Sequence, residues 1–172
     1  MILRLIEDLV YSKLITSRKV ILVFGARQVG KTTLVKNISQ KLENEGKKVL
    51  YLNCDLAEDI TAVNTASKAV LERLLVLSPV DFLIIDEAQR LDNPGLTLKI
   101  IHDNFPQVRV LATGSSSFDL KNKLSDPLTG RYLDLTLYPF SFIEVLGAKG
   151  SPNEVLLKNQ AHELLPQAML YG

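Results

Sequence analysis

One stretch of this sequence limits the fold more than any other, because an apolar run, a glycine-rich turn and a helical pattern follow one another directly. Val20–Phe24 is uninterrupted and rich in β-branched residues, which predicts a strand covered on both faces, as in parallel sheets. Apolar residues then recur on one helical face from Lys31 to Glu45, and Gly46 is the expected end of that helix. This order of elements is typical of an α/β fold.

The alternation of strand and helix patterns continues through the middle of the chain. Strands are predicted at Val49–Leu52, Phe82–Ile85 and Val108–Ala112, and helices at Ala62–Leu77 and Leu96–Asn104. Strands that alternate with helices are joined by crossovers, which make the strands parallel. We therefore expect a three-layer α/β/α domain with a mainly parallel sheet of about five strands.

The two ends of the chain follow different patterns. Tyr132–Tyr138 alternates and predicts a strand with one buried side. A helix that packs on the domain is predicted near the start, where apolar residues share a helical stripe: Leu3, Ile6, Val10 and Leu14. We assign residues 1–150 to one domain with this N-terminal helix, and residues 151–172 to the start of a C-terminal helical region.

Composition excludes several classes of protein. Lys and Arg number 20 against 19 Asp and Glu among 172 residues, so a net charge of +1 predicts no protein-wide field for nucleic acid or anionic membranes. No apolar run reaches the roughly 18 residues of a membrane span. Cys54 is the one cysteine, which excludes an intramolecular disulfide framework and a multi-cysteine zinc site. These features favour a cytoplasmic location.

The turn after the first strand matches G-x-x-x-x-G-K-[ST] at every fixed position. Backbone N–H groups of such a turn, and the positive end of the helix after it, face phosphate oxygens. Lys31 is expected to reach the β- and γ-phosphates, and the Thr32 hydroxyl to ligate Mg²⁺. Arg27 and Gln28 either approach the nucleotide or serve as exposed loop residues or partner contacts. The predicted binding residues are Gly25, Ala26, Arg27, Gln28, Val29, Gly30, Lys31, Thr32 and Thr33.

Two adjacent carboxylates end the third predicted strand. Open α/β sheets bind ligands at the carboxyl ends of their strands, where Asp86 and Glu87 are expected. Asp86 is predicted to hold Mg²⁺ through water, and Glu87 to orient and deprotonate an attacking water. An adjacent glutamate and an extra strand and helix at residues 48–77 fit the branch of P-loop proteins that includes AAA-type and RecA-type ATPases.

Two further positions carry candidate catalytic groups. A hydroxyl of Thr113 or Ser115, after the fourth strand, either senses the γ-phosphate or belongs to an ordinary turn. Arg131, before the fifth strand, either reaches the γ-phosphate of a neighbouring subunit or is a surface cation in a salt bridge.

Several short motifs occur in a fixed order along nearly the whole chain. After a first helix come G-x-R-Q-x-G-K-T at Gly25–Thr32, D-E-x-Q at Asp86–Gln89, T-G-S-S at Thr113–Ser116, G-R at Gly130–Arg131 and P-F-S-F-x-E at Pro139–Glu144. In these motifs the chain resembles a family of bacterial and archaeal AAA-type P-loop ATPases. The resemblance implies ATP and Mg²⁺ as ligands, at Lys31, Thr32, Asp86 and Glu87.

Members of the family usually continue into a C-terminal domain of uncertain function, so we expect this chain to be an N-terminal piece. The predicted activity is ATP hydrolysis that drives a conformational change in the C-terminal part, in a second copy, or in a protein or DNA partner. A DNA-stimulated helicase and a slow ATP-gated interaction module remain alternatives. A GTPase is not expected, because Asn122–Ser125 has serine where N-K-x-D needs aspartate.

Overall fold

The computed structural model describes residues 4–76, 79–115, 127–141 and 144–145, in which helices cover both faces of a parallel sheet. The elements along the chain are α1 (Ile6–Thr16), β1 (Val20–Gly25), α2 (Lys31–Asn44), β2 (Val49–Asn53), α3 (Ala57–Val63), α4 (Lys68–Leu75), β3 (Phe82–Asp86), a 3₁₀ turn (Ala88–Arg90), α5 (Pro94–Asn104), β4 (Arg109–Ser115) and β5 (Tyr132–Leu137). Within the same ranges, every helix is too short or too polar to cross a membrane.

All five strands are parallel, in the order β2-β3-β4-β1-β5. Side chains of consecutive strand residues point to opposite faces, so each inner strand supplies both layers of the core. In β1, Val20 and Leu22 pack with α3, α4 and α5, whereas Ile21 and Val23 pack with α1 and α2. The three-layer α/β/α arrangement predicted from the continuous apolar runs is confirmed.

The helix predicted at Ala62–Leu77 is a wrong prediction, because two shorter helices occupy this part of the chain. α3 begins earlier, at Ala57, and α4 begins only at Lys68. Between them, Asn64 exchanges hydrogen bonds with Asp92, and the Thr65 carbonyl accepts one from a hydroxyl in α5 at 3.1 Å. These contacts occupy polar groups that a continuous helix would direct elsewhere.

The remaining predictions differ from the structure mainly at element ends. β4 begins at Arg109 and continues to Ser115, beyond the predicted end at Ala112. α2 ends as predicted at a left-handed glycine, because Gly46 has φ +76 and its N–H and that of Lys47 bond back to α2 carbonyls. The predicted start of a C-terminal helical region, residues 151–172, lies outside the described residues.

Candidate functional site

The carboxyl ends of β1, β3 and β4 lie at one edge of the sheet, since the strands are parallel and adjacent. β4 lies between β1 and β3, with Gly25 opposite Ser115 and Ile85 opposite Ala112. In the sheet, β4 therefore lies between the strand that precedes the glycine-rich turn and the strand that ends in the acidic pair. In the sequence, the strand between these two is β2. This order brings Thr113 beside Asp86 at the edge where ligands of α/β sheets bind.

Each glycine of the turn after β1 is needed for a different reason. A Cβ on Gly25 would lie 2.7 Å from the Leu137 carbonyl oxygen and 2.9 Å from a methyl of Val29, so Gly25 permits close packing of β1 against β5. Gly30 precedes α2 with φ +96, a left-handed conformation that side chains disfavour. Gln28 adopts φ 65 between them despite its side chain.

The Lys31 ammonium is buried at the start of α2, with 4% of the residue exposed. It donates to the carbonyl oxygens of Gly25 at 3.1 Å and Ala26 at 3.0 Å. The Glu87 carboxylate lies 3.9 Å away, at the outer limit of an ion pair. The turn therefore encloses a cation held mainly by carbonyl dipoles, which an anionic ligand can replace.

Asp86 ends β3 with 1% of the residue exposed, and both of its carboxylate oxygens have partners. The Thr113 hydroxyl donates to one oxygen, and the Tyr51 hydroxyl donates to the other at 3.0 Å. Burial raises the pKa of Tyr51, and the Asp86 charge raises it further, so Tyr51 remains a donor at neutral pH. These two hydroxyls fix the orientation of the carboxylate.

Glu87 occupies a left-handed conformation, with φ 56, directly before the 3₁₀ turn. Its N–H donates to the Thr113 hydroxyl at 3.0 Å, and its carboxylate accepts a hydrogen bond from the Gln89 side chain. Thr113 thus contacts both members of the acidic pair. The other amide atom of Gln89, Oε1, is buried and has no hydrogen-bond partner among the described residues.

Two cavities open at this edge of the sheet. The smaller, about 270 Å³, is lined by Gln28, Gly30, Lys31, Thr32, Thr33 and Glu87. The larger, about 440 Å³, is lined by Arg27, Gln28, Asp55, Glu87, Gln89, Arg90 and Ser115. Gln28 and Glu87 line both, and they are the two non-glycine residues with positive φ in the described ranges. Unfavourable backbone conformations of this kind are concentrated at functional sites.

Burial and nearby carboxylates both act on Cys54, the residue that follows β2. Burial, together with Asp59, Asp86 and other carboxylates, raises the pKa of the Cys54 thiol to about 12. Cys54 is buried in the core, as expected of a small apolar residue. In the described ranges, no group of three or more His, Cys, Asp or Glu side chains could hold a metal.

Among the candidate catalytic residues, Lys31, Glu87 and Thr113 are brought together, whereas Arg131 is not. The Arg131 carbonyl accepts a hydrogen bond from the N–H of Val20, the first residue of β1. The glycine-rich turn lies at the other end of β1, after its last residue. The Arg131 side chain pairs with Asp103 at 2.8 Å, and this hydrogen bond lowers the pKa of that carboxyl. Within the chain Arg131 is thus at the opposite edge of the sheet. Its role toward a neighbouring copy stays a prediction.

Sequence reasoning did not identify three residues that contact the site. Tyr51 in β2 pairs with Ile84 in β3, and Asp86 lies two residues after Ile84. The side chains of Tyr51 and Asp86 are therefore on the same face of the sheet, where they form a hydrogen bond. Gln89 belongs to the D-E-x-Q motif, but the motif alone did not assign it a contact. Arg4 donates to the Val29 carbonyl at 2.8 Å, and the sequence indicated only that it is a charged residue within an apolar opening segment.

Comparison with known proteins adds a family and a fold. A family model described as an AAA domain matches residues 17–146. An uncharacterized protein of Haemophilus influenzae is 25% identical over 145 residues, 81% of this chain and 36% of that protein. One of Methanocaldococcus jannaschii is 33% identical over 135 residues, 75% of this chain and 28% of that protein. The chain thus spans about a third of the length of these curated relatives.

A solved structure, AMPPCP-bound DnaA from Aquifex aeolicus, is similar in fold. It aligns with a TM-score of 0.55 at 17% identity, over 91% of this chain and 54% of the DnaA chain. This chain and the DnaA structure are therefore similar in the arrangement of their strands and helices.

Proposed function

The chain belongs to the family of AAA domains, and from that premise we propose that it binds ATP with Mg²⁺ and hydrolyses the γ-phosphate bond. The observation that carries this proposal is the buried Lys31 ammonium, 3.9 Å from Glu87 and bound otherwise to carbonyls of its own loop. A buried cation at a helix N-terminus beside a cavity is a site for an anion. The resemblance to AAA-type ATPases and the AMPPCP-bound fold neighbour support a nucleotide as that anion.

The residues at this edge fit a hydrated magnesium ion. Thr32 and Asp86 offer hydroxyl and carboxylate oxygens, the ligand type that Mg²⁺ prefers, and few protein ligands leave room for its waters. They would hold the ion, which when bound neutralises charge on the phosphates. Tyr51 and Thr113 keep the Asp86 carboxylate in one orientation, because each donates a hydrogen bond to it.

In the proposed reaction each side chain has a separate task. Lys31 leaves the loop carbonyls and binds the β- and γ-phosphates. Glu87, released by Lys31, orients a water and accepts its proton. Thr113 acts as a positioning residue, because its hydroxyl accepts from the Glu87 N–H and donates to Asp86. Gln89 holds the Glu87 carboxylate until that water is in place.

Hydrolysis in this proposal changes the conformation of a C-terminal part or of a partner. The chain spans about a third of the length of its curated relatives, so this part of the proposal concerns the longer protein. The candidate partners are a second copy of the chain, another protein, or DNA. A slow, ATP-gated interaction module differs from this proposal only in turnover.

The test separates binding from turnover with two variants. Lys31→Ala is expected to weaken ATP binding at least about tenfold, because it removes a charge-assisted contact. Glu87→Gln is expected to keep ATP affinity and lower turnover by about 10²–10⁴. Calorimetry with Mg²⁺ and phosphate release measure the two quantities. The matched control for Lys31→Ala is Lys36→Ala on α2, and that for Glu87→Gln is Glu58→Gln on α3, because Lys36 and Glu58 are exposed.

Each result has a defined meaning. Equal loss of ATP binding in Lys31→Ala and Glu87→Gln contradicts the division of roles. ATP binding without measurable turnover in the wild type favours the interaction module. Turnover that rises when DNA is added favours the nucleic-acid motor.

A further inference from the structure

Arg4 lies just before α1 and is buried, with 8% of the residue exposed. Its guanidinium donates from Nε to Glu144 at 3.1 Å and from its terminal nitrogens to the carbonyl oxygens of Val29, at 2.8 Å, and Tyr138. The same group lies over the Phe140 ring, 4.2 Å from its centroid. One side chain therefore joins the glycine-rich turn at Gly25–Thr32, which we call the phosphate loop, to the segment after β5.

The bond to Val29 orients a peptide group of the phosphate loop. In a planar trans peptide, the carbonyl oxygen and the following N–H point in opposite directions. Because the Val29 carbonyl points at Arg4, the Gly30 N–H points away from it. Gly30 lines the smaller cavity, and Arg4 lies outside that lining. A Gly30 N–H that points away from Arg4, in a residue that lines this cavity, can donate to a phosphate oxygen beside Lys31.

Glycine at position 30 makes this orientation dependent on an outside contact. Gly30 has φ +96 and no Cβ, so its own side chain does not restrict rotation of the Val29–Gly30 peptide. The nearest atom that a Cβ would meet is Arg4 itself, at 3.8 Å. Arg4 therefore supplies a restraint that the loop sequence lacks.

Glu144 holds Arg4 in place. Its carboxylate accepts from Arg4, from the Leu5 N–H at 2.9 Å and from the Ser141 N–H at 2.7 Å. Burial raises the pKa of Glu144, but hydrogen bonds from Ser141 and Leu5 and the Arg4 charge outweigh this and lower it below the usual 4.5. A buried pair whose other hydrogen bonds are also made has a defined geometry.

We propose that Arg4 is a positioning residue for nucleotide binding, which keeps the Gly30 N–H directed at the phosphates and is itself fixed by Glu144. The inference rests on the proposed ATP binding. Coupling between two sites is reciprocal. If the Arg4–Glu144 pair favours the loop conformation that binds nucleotide, then nucleotide binding stabilises the contacts of Glu144. The segment after β5 thereby responds to occupancy of the site.

The experiment compares wild type, Arg4→Lys, Arg4→Ala and Glu144→Gln in the full chain. Arg18→Ala is the matched control, since Arg18 is an exposed arginine near the same end. Calorimetric titration with AMPPCP and Mg²⁺, at a temperature where circular dichroism shows each variant folded, is expected to give about tenfold weaker binding for Arg4→Lys and Arg4→Ala. Glu144→Gln is expected to weaken binding less, and Arg18→Ala to match wild type.

A second measurement separates positioning from general stability. Amide exchange of Leu5 and Ser141, whose N–H groups donate to Glu144, is expected to slow on AMPPCP binding in wild type and to stay unchanged in Arg4→Lys. Wild-type affinity in folded Arg4→Lys, or equal slowing of exchange in both proteins, overturns the positioning role alone. A wild type that takes up no AMPPCP overturns the proposed function and this role together.

Discussion

Gln28 and Glu87 both adopt left-handed backbone conformations, which cost about 1–3 kcal/mol each for residues with side chains. The surroundings compensate this cost at Glu87, where Thr113 accepts the N–H and Gln89 binds the carboxylate. The conformation turns the chain sharply after β3 and directs Glu87 toward Lys31. At the residue scale, the site therefore depends on a few backbone conformations that neighbouring groups maintain.

Gly25→Ala is expected to lower the free energy of unfolding by about 1–3 kcal/mol, because the added methyl overlaps a crowded site. The new Cβ would lie 2.7 Å from the backbone oxygen of Leu137, which cannot move aside as a flexible side chain can. Urea unfolding followed by circular dichroism measures this change. Unfolding at the wild-type urea midpoint would show that β1 and β5 separate at little cost.

The elements that carry the site are joined by helix ends and turns with specific backbone chemistry. The end of α2 is one example, since the N–H groups of Gly46 and Lys47 bond to the carbonyls of Glu43 and Leu42 at 2.9 and 3.0 Å. This pattern needs a left-handed residue, and Gly46 has φ +76. The end of α3 is another, where Asn64 bonds to Asp92 instead of continuing the helix.

Gly46→Ala is expected to lower the free energy of unfolding by about 1 kcal/mol through backbone strain alone. Apart from its chain neighbours, no described residue has an atom within 4 Å of the added Cβ, so we expect no change in packing. Gly46→Asn is the control and is expected to cost less, because asparagine tolerates the left-handed region. Thermal unfolding of the three proteins gives the order, and an asparagine variant less stable than the alanine variant contradicts the strain explanation.

At the scale of the whole molecule, a hydrogen bond between Arg4 and Glu144 joins residues that lie 140 positions apart in the sequence. Because the pKa of folded Glu144 lies below 4.5, its ionised form favours the folded state. This contribution is complete above the unfolded pKa and is lost as the pH falls through the folded value. Acid should therefore weaken the contact between the phosphate loop and the segment after β5.

Glu144→Gln is expected to reduce stability at neutral pH by about 3 kcal/mol, because Arg4 remains buried without a counterion. The difference from wild type should narrow as the pH falls below the usual pKa of 4.5 and through the lower pKa of folded Glu144, where its carboxylate becomes protonated. Urea unfolding at several pH values measures the difference. A gap that stays constant down to the acid limit of folding would show that the Glu144 charge does not contribute.

The strands, the glycine-rich turn and the acidic pair were predictable because their signals are local. An apolar run predicts a buried strand, and the spacing from Gly25 to Thr32, with a strand directly before it and a helix directly after it, predicts a phosphate-binding turn. Parallel pairing also brings strand ends to one edge, so Lys31, Asp86 and Glu87 could be assigned to one site. The split of the predicted Ala62–Leu77 helix was not predictable, since it depends on partners near residue 92.

Local sequence pattern thus determined the α/β class and singled out the glycine-rich turn as the candidate phosphate loop, because periodicity and turn chemistry act over a few residues. Strand order and long-range contacts were decided in the folded chain, since they depend on which surfaces pack together. The position of β4 between β1 and β3 makes Thr113 a partner of Asp86. The same packing carries Arg131 to the opposite edge of the sheet and joins Arg4 to Glu144, which no short-range pattern encodes.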